Sequence, residues 1–311
     1  MTTNRSVVAA YAVTAALFLC VSIASPGFAS VAHIRDVLTL ASFIAIVGIG
    51  QTFVILAGGF DLSVPWTLNA AAVLLTVMSG GDDSRLVWVI PVLIALGVCV
   101  GLINGFGVAY LGITPIIMTL GTFGMLEGAL LVVTNGGLSS VTPPAIVWLS
   151  TTAVGPLSCT VVITAILGAL AMIVLSRTVF GREVYAVGVN HQVSLVSGIG
   201  VRRVILYTYV ISGVTAALAG VLLAGYVGTA YLGLGDPYLF ASIAAVAIGG
   251  TSVAGGRGGY AGTIAGALLL TVIIALLPIL NLEPAFLQII YGAVILIAVV
   301  VTSAQIRRPE L

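Results

Sequence analysis

Long apolar runs that are almost free of charge constrain this chain more than any other feature of its sequence. A helix that crosses a bilayer needs about 20 mostly apolar residues, and ten segments meet that requirement. Only 6% of the 311 residues are charged, whereas a soluble domain carries about 25%. We therefore predict an all-α polytopic membrane protein with about ten transmembrane helices. The segments are Val7–Ser25, Val37–Ala57, Leu62–Met78, Leu86–Val108, Pro115–Val133, Val154–Ser176, Val204–Val227, Tyr238–Val253, Gly259–Leu280 and Ala285–Ser303, of which the third and eighth are short enough to be broken or re-entrant.

The arginines predict the orientation of these helices. With the N-terminus in the cytoplasm, only Arg35 and Arg85 fall outside. The arginines that fall inside are Arg5, Arg177, Arg182, Arg202, Arg203, Arg257, Arg307 and Arg308. Because basic residues favour the cytoplasmic side of a membrane protein, this distribution predicts that both termini are cytoplasmic. A signal peptide is the alternative for the first segment, since Arg5 precedes its apolar run and small residues follow it.

The longest polar connection, residues 177–203, separates the first six segments from the last four. The other connections are short, so we expect a single transmembrane domain over residues 1–311, with 177–203 as a cytoplasmic segment within it. Thr134–Ser150 is the largest connection on the other side, and its turn signals leave room for a short surface helix. These lengths leave no room for a soluble catalytic unit.

Every basic residue in the chain is an arginine. The phosphate-binding loop of an ATPase requires a lysine, so any ATP must be bound by another subunit. His33 and His191 have no carboxylate at helical spacing, and Cys20, Cys99 and Cys159 lie in apolar runs as lipid-facing or core residues. We therefore predict no metal or cofactor site in this chain.

Four polar residues within or beside the predicted spans are candidates for lining a translocation path. Glu127 lies in the fifth span, where a charged side chain is costly and usually faces a cavity or a partner. Asn69 and Asn104 could hydrogen-bond either a hydroxylated solute or another helix. Asp61 precedes Pro65 and is interpreted either as the cap of the third helix or as a polar edge of the path.

Small residues predict close helix packing. Gly97, Gly101 and Gly105 are four residues apart, a spacing that lets helices approach closely in lipid. Val47–Gly59 and Val246–Gly256 have similar sequences and run in the same direction in the predicted topology. An inverted repeat of the kind found in transporters would place them antiparallel, so a shared packing arrangement is the better interpretation.

Three segments carry recognisable motifs. Gly58–Val64 reads GGFDLSV, Asn190–Val201 reads NHQVSLVSGIGV, and Ala245–Gly262 reads AVAIGGTSVAGGRGGYAG. In this order they resemble the GG-x-DLSVG, N-x-x-A-A-x-x-SGI-x-V and IGGTS-x-x-GG-x-G motifs of the ribose/xylose/arabinose-type ABC transporter permeases. The resemblance extends from about Ala45 to the C-terminus.

The resemblance implies a subunit of a bacterial inner-membrane importer that moves a sugar or sugar-like solute with energy from ATP hydrolysis. The implied partners are a second permease subunit, identical or homologous, a cytoplasmic ABC ATPase, and a periplasmic or lipid-anchored substrate-binding protein. The ATPase would bind ATP and Mg²⁺, so that this chain would hold no cofactor and would not itself be an enzyme. No nucleic acid is expected as a partner.

Within residues 177–203, the resemblance implies a coupling helix that seats in a groove of the ATPase. Val193, Val196 and Ile199 share a helical spacing, and Gly198 is expected to permit a tight exit from the helix. An ordinary solvated loop is the alternative. The implied contact residues are Gly188, Asn190, Val193, Val196, Ser197, Gly198 and Ile199.

Four residues depart from the pattern of these permeases. Val193 and Ser194 stand where two alanines are usual, and Pro65 and Trp66 stand where glycine and a small residue usually follow the DLSV motif. These departures leave open the fit to the ATPase and the choice of solute. The alternative functions are a branched-chain amino-acid permease of the same superfamily, an ion-coupled secondary transporter and, last, an intramembrane enzyme.

Overall fold

The computed structural model describes residues 3–137, 141–283 and 285–306, and these residues are almost entirely helical. Strands β1 (Ala153–Val154) and β2 (Leu157–Ser158) form one short antiparallel hairpin. The predicted all-α fold is confirmed. The helices are α1 (Thr3–Ala24), α2 (Val31–Leu56), α3 (Val64–Ser79), α4 (Leu86–Ala109), α5 (Pro115–Thr134), α6 (Pro144–Thr151), α7 (Cys159–Arg177), α8 (Val179–Val189), α9 (His191–Val196), α10 (Val201–Val227), α11 (Pro237–Ile248), α12 (Tyr260–Ile279) and α13 (Ala285–Ile306).

Among the described residues, seven helices are long and apolar enough to cross a membrane, and α3, α11 and α13 are shorter apolar helices. Together they overlap the ten predicted segments. α3 has 16 residues and α11 has 12, so the prediction that the third and eighth segments are short is confirmed. At 1.5 Å per residue, α11 extends about 18 Å, well short of the roughly 30 Å thickness of a hydrocarbon core.

Three predicted boundaries are wrong by at least five residues. The second span begins at Val31 rather than at Val37. The sixth span begins at Cys159 rather than at Val154, because residues 153–158 form the β1–β2 hairpin. The eighth ends at Ile248 rather than at Val253, and an irregular connection follows it. The surface helix expected in the outer connection is α6. The cysteines behave as expected, since Cys159 is buried and the other two are exposed on apolar helices.

α10 lies at the centre of the bundle, where α2, α3, α4 and α6 pack against it. Gly97 of α4 meets the backbone of Gly213, Gly105 meets that of Leu206, and Gly101 lies between them against the same helix. A side chain at any of the three α4 positions would overlap α10. The close packing predicted from their spacing is confirmed, and in lipid such contact is a main source of helix association.

Connections from distant parts of the chain meet at one end of the bundle. The Gly256 N–H donates to the Leu56 carbonyl at 2.9 Å, and the Tyr185 hydroxyl donates to the Gly258 carbonyl at 2.9 Å. α8, α9 and the end of α2 therefore lie beside residues 249–259. α2 and α11 both finish here, which confirms that the two similar segments run in the same direction.

The arginines separate between the two ends of the bundle. Those at the end that contains α9 are Arg177, Arg182, Arg202, Arg203 and Arg257. The other end holds α6 and the hairpin, together with Arg35 and Arg85, and there the Asp83 carboxylate accepts from the Ala145 N–H at 2.9 Å. α1 begins at the α9 end, because Ser6 lies beside Gly250. Arg307 and Arg308 lie outside the described residues.

Candidate functional site

The chain between α2 and α3 turns back into the bundle before α3 begins. The Tyr209 hydroxyl donates to the Phe60 carbonyl at 3.1 Å, and the Ser212 hydroxyl donates to the Asp61 carboxylate at 2.6 Å. Tyr209 and Ser212 lie about 12 and 17 Å along α10 from its first residue, at 1.5 Å per residue. α3 therefore starts inside the bundle rather than at its end.

Asp61 belongs to a buried chain of hydrogen bonds that joins four helices. Its Oδ1 accepts from the backbone N–H of Ser63 at 3.0 Å and from the Ser63 hydroxyl at 2.6 Å. The Asn104 amide donates to the same hydroxyl oxygen at 2.8 Å, and Thr122 donates to the Asn104 amide oxygen at 2.6 Å. With Ser212 on the other carboxylate oxygen, the chain connects α3, α4, α5 and α10. We call these five residues the Asp61 network.

The predicted capping role of Asp61 is wrong. α3 begins at Val64, and its N-cap is Ser63, whose side chain makes no capping hydrogen bond. Asp61 lies two residues earlier and is 2% exposed. A cap satisfies the end of one helix, whereas this carboxylate fixes the turn before α3 to the middle of α10.

The two candidate asparagines have different surroundings. Asn104 is fully buried within the Asp61 network, which confirms its interpretation as an interhelical contact. Asn69 is also fully buried, but its amide atoms have no hydrogen-bond partner in the described structure. The amide atoms of Gln51 likewise have no partner there. Buried polar groups without partners are rare, and in the described residues this packing leaves the amides of Gln51 in α2 and Asn69 in α3 unsatisfied.

Glu127 lines a cavity of about 560 Å³ between α2, α3, α5, α11, α12 and α13. This volume lies within the range of about 300–1,000 Å³ that is usual for small-molecule pockets, and its mainly apolar lining is also usual. Of the four predicted path residues, only Glu127 faces the cavity. The lining residues with polar side-chain atoms are Trp66, Glu127, Asp236, Tyr238, Thr271, Gln288 and Tyr291.

Two short helices begin beside this cavity. α3 and α11 each have a proline in the first turn, Pro65 and Pro237, where the missing N–H of proline costs no helical hydrogen bond. The backbone of Gly235 packs against the Pro65 carbonyl, so the two starts are in contact. The first N–H groups of a helix have no intrahelical acceptor and carry partial positive charge. The cavity is therefore bordered by two helix N-termini as well as by carboxylates.

Sequence reasoning missed Asp236. This residue precedes α11, lines the cavity, and is close enough to Glu127 for their charges to interact. At both short helices, an acid lies shortly before the proline of the first turn. Asp61 lies four residues before Pro65, and Asp236 lies directly before Pro237. That repeated pattern is the signal that could have identified it.

α9 presents apolar side chains to the outside. Asn190 caps the helix, since its side-chain oxygen accepts from the backbone N–H groups of Gln192 at 2.9 Å and of Val193 at 3.0 Å. Val193, Leu195 and Val196 are 57%, 59% and 83% exposed. We call these three side chains the α9 surface.

The helical spacing of Val193, Val196 and Ile199 does not describe one face. α9 ends at Val196, and Gly198 turns the chain with a φ of +81°, a conformation that favours glycine. Ile199 then packs inward against a buried cluster. The tight exit expected at Gly198 is confirmed. Leu195, rather than Ile199, is exposed together with Val193 and Val196.

Gly188 holds the cytoplasmic segment against the membrane helices. A Cβ atom at this position would overlap the carbonyl oxygen of Leu56, the same oxygen that accepts from Gly256. Nearby, the His191 Nε2 atom lies 3.2 Å from the Ala57 carbonyl oxygen. We call Gly188, Leu56 and Gly256 the Gly188 junction. Through it, α8 and α9 contact both the connection that leads into α3 and the one that follows α11.

Comparison with known proteins identifies the relatives of this chain. The sequence model of the family described as "Branched-chain amino acid transport system / permease component" matches residues 33–299. The ribose import permease protein RbsC of Haemophilus influenzae is 34% identical over 288 residues, which cover 91% of this chain and 88% of that protein. No solved structure matches the chain.

Two further relatives have similar identity and coverage. The galactose/methyl galactoside import permease protein MglC of Escherichia coli is 32% identical over 318 residues, or 96% of this chain and 95% of that protein. The autoinducer 2 import system permease protein LsrC of Salmonella typhi is 33% identical over 304 residues, or 98% and 87%.

Proposed function

The chain belongs to the branched-chain amino acid transport system / permease component family, and from that premise we propose that it is the permease subunit of an ATP-driven importer for a sugar or sugar-like solute. The observation that carries the proposal is the α9 surface, an exposed apolar patch seated on the membrane helices through the Gly188 junction. The names of the relatives, which concern ribose, galactose and autoinducer 2, favour a sugar-like solute.

The proposed assembly contains this chain, a second permease subunit, a cytoplasmic ATPase and an external substrate-binding protein. The ATPase holds ATP and Mg²⁺, because a chain without lysine cannot form the usual phosphate-binding loop. A short helix that docks in a groove gains its affinity from a few buried side chains. The α9 surface supplies such side chains, and we assign it to the ATPase.

The Gly188 junction gives a physical route from ATPase to solute path. A displacement of α9 acts on Leu56 and Gly256. Leu56 precedes the turn into α3, and Gly256 lies in the connection that follows α11. Both short helices begin at the cavity that contains Glu127. Movement at the ATPase therefore reaches the cavity wall through two adjacent connections rather than through the whole bundle.

An amino-acid solute is the second candidate, because the family description names branched-chain amino acids. An amino acid carries both an ammonium group, which a carboxylate can bind, and a carboxylate, which a basic side chain or a helix N-terminus can bind. No arginine or histidine lines the cavity within the described residues, whereas two carboxylates do. The two carboxylates and the two helix N-termini at the cavity also suit the ammonium and carboxylate groups of an amino acid, so the preference for a sugar-like solute rests on the names of the relatives.

The direct test is reconstitution of the complete transporter. The chain is co-expressed with the ATPase and the binding protein encoded beside it, purified, and placed in lipid vesicles. We expect ATP hydrolysis to rise when the binding protein is loaded with ribose or galactose, and the same sugar to enter the vesicles. Stimulation by leucine with no response to either sugar would support the amino-acid alternative instead.

A substitution on the α9 surface should separate docking from folding. Val196→Asp places a charge on a side chain that is 83% exposed. If Val196 is buried in the ATPase groove, co-purification of the ATPase should fall about tenfold or more, as at interface hot spots. Val154→Asp is the matched control, because Val154 is 56% exposed in β1 at the opposite end. Equal ATPase recovery with both variants would exclude α9 as the docking helix.

Reporter fusions test the proposed orientation, in which α9 and both termini are cytoplasmic. A fluorescent protein fused to the C-terminus should fluoresce, and alkaline phosphatase fused there should be inactive, because the arginine distribution places that end inside. Phosphatase fused after Ser84, at the end that holds Arg85, should be active. The reverse pattern would invert the topology and remove α9 from reach of a cytoplasmic ATPase.

A further inference from the structure

The cavity between α5 and α11 contains two carboxylates that have no partner among the described residues. Glu127 lies in α5, about 10 Å along the helix from Thr134, and Asp236 precedes α11, which begins inside the bundle. Within the described residues, no donor hydrogen-bonds to either carboxylate and no cation lines the cavity. Charged groups within a membrane are costly and usually face a ligand, a partner or water. The unpaired acids therefore indicate that something polar enters.

Aromatic side chains also line the cavity. The rings of Trp66 and Phe123 meet edge to face with their centroids 6.0 Å apart, and Tyr238 and Tyr291 contribute further rings to the lining. A polyhydroxylated ring has hydroxyl groups around its rim and C–H groups on its faces. Carboxylates accept strong hydrogen bonds from hydroxyl groups, and an aromatic ring provides a large apolar surface for a C–H face.

We propose that this cavity is a binding subsite for a polyhydroxylated ring, in which Glu127 and Asp236 accept hydrogen bonds from ring hydroxyls and Trp66 contacts a C–H face. The inference rests on the proposed function, which it deepens by placing a solute contact within the permease. Asp236 and Trp66 are specificity residues that sequence reasoning did not assign. Binding at a point along a transport path must be weak enough for the solute to leave.

The position of the subsite suits coupling to the ATPase. Trp66 lies at the start of α3, which follows the connection from Leu56, and Asp236 precedes α11, whose other end leads to Gly256 at the Gly188 junction. A change at that junction therefore shifts one carboxylate and the main aromatic side chain of the subsite together. Glu127 lies on α5, which neither of these two connections joins.

A cysteine reporter tests occupancy without altering the proposed contacts. Cys20, Cys99 and Cys159 are replaced by alanine, and Gln288→Cys is introduced, because Gln288 is exposed on α13 and lines the cavity. The complete complex in native membranes is then treated with a small maleimide. Ribose or galactose at high millimolar concentration should slow labelling several-fold, and leucine should not.

Second substitutions identify which groups hold the sugar. Adding Asp236→Asn or Glu127→Gln to the reporter chain should leave labelling without sugar unchanged but remove most of the protection. Adding Asp82→Asn is the matched control, because Asp82 is an exposed acid in the turn before α4. Protection should persist with that control.

Three outcomes would overturn the inference. Reporter labelling that no sugar slows would show that no ring binds here, and protection by leucine alone would assign a different solute class. A reporter that cannot be labelled in the complex but is labelled in the separated subunit would show that the second permease fills the cavity. Failure of the proposed function is distinguishable from all three, since it would appear as loss of ATPase co-purification with the unmodified chain.

Discussion

Gly188→Ala is expected to abolish most ATP-driven uptake while the ATPase remains bound. The new methyl group would overlap the Leu56 carbonyl oxygen and crowd the Gly256 N–H. Overpacking of a tight contact costs about 1–3 kcal/mol, and about 1.4 kcal/mol corresponds to a tenfold change in an equilibrium. α8 must therefore move off the junction. The α9 surface itself is unchanged, so the ATPase should still dock on it. A displacement of α9 should no longer reach α3 and α11.

The measurement compares three quantities in one preparation: ATPase recovered per permease, ATP hydrolysis, and sugar uptake into vesicles. Gly292→Ala is the control, because no atom lies within 4 Å of the Cβ position there and Gly292 lies within the helix α13. It should retain all three. Uptake by Gly188→Ala at the level of this control would show that the Gly188 junction does not transmit the movement.

Hydropathy predicts how many apolar helices the bundle contains, but it carries no information about how deep within the bundle each helix begins. The third segment was correctly expected to be short. That α3 begins inside the bundle depends on Tyr209 and Ser212 of α10, which hold Phe60 and Asp61. These contacts join residues about 150 positions apart, and no local pattern specifies such a pairing.

The candidate site shows the same division between local and distant information. Glu127 was identifiable because a lone acid in an apolar run is costly in a membrane. Asp236 was not, because it lies in a connection where acids are common, and its closeness to Glu127 arises because both residues line one cavity. The sequence shows that Glu127 and Asp236 are acids, but it does not show that they lie close together.

The sequence predicts where the short helix α9 lies but not which of its side chains are exposed. Asn190 and Gly198 mark the start and exit of a helix, and both do so in the structure. The error at Ile199 arose because a helical spacing was extended past the point where Gly198 reverses the chain. α9 has six residues, so a period of three or four residues cannot define a face across its end.

Asp61→Ala is expected to destabilise the folded subunit more than any other single change to the Asp61 network. The substitution removes the acceptor of three hydrogen bonds, from the Ser63 N–H, the Ser63 hydroxyl and the Ser212 hydroxyl. A buried donor left without an acceptor costs about 1–3 kcal/mol. The serine hydroxyls can rotate toward other acceptors but the Ser63 N–H cannot, so the total loss should be on the order of 3 kcal/mol.

Asp61→Asn separates the hydrogen bonds from the charge. The amide oxygen can still accept from Ser63, and the amide nitrogen can donate to Ser212 if that hydroxyl turns its hydrogen away. We expect a loss of about 1 kcal/mol, comparable with one ordinary hydrogen bond. The expected order of stability is wild type, then asparagine, then alanine.

The measurement is the fraction of detergent-solubilised subunit that remains monodisperse after heating, recorded over a temperature series. Asp82→Ala is the matched control: Asp82 also accepts from a serine N–H, that of Ser84 at 2.9 Å, but its side chain is 53% exposed. Water can replace that hydrogen bond, so the control should melt like the wild type. Because the Asp61 network ties the start of α3 to α4, α5 and α10 through buried hydrogen bonds, Asp61→Ala should melt at a clearly lower temperature. Equal melting of the two alanine variants would mean that packing, and not this carboxylate, determines where α3 begins.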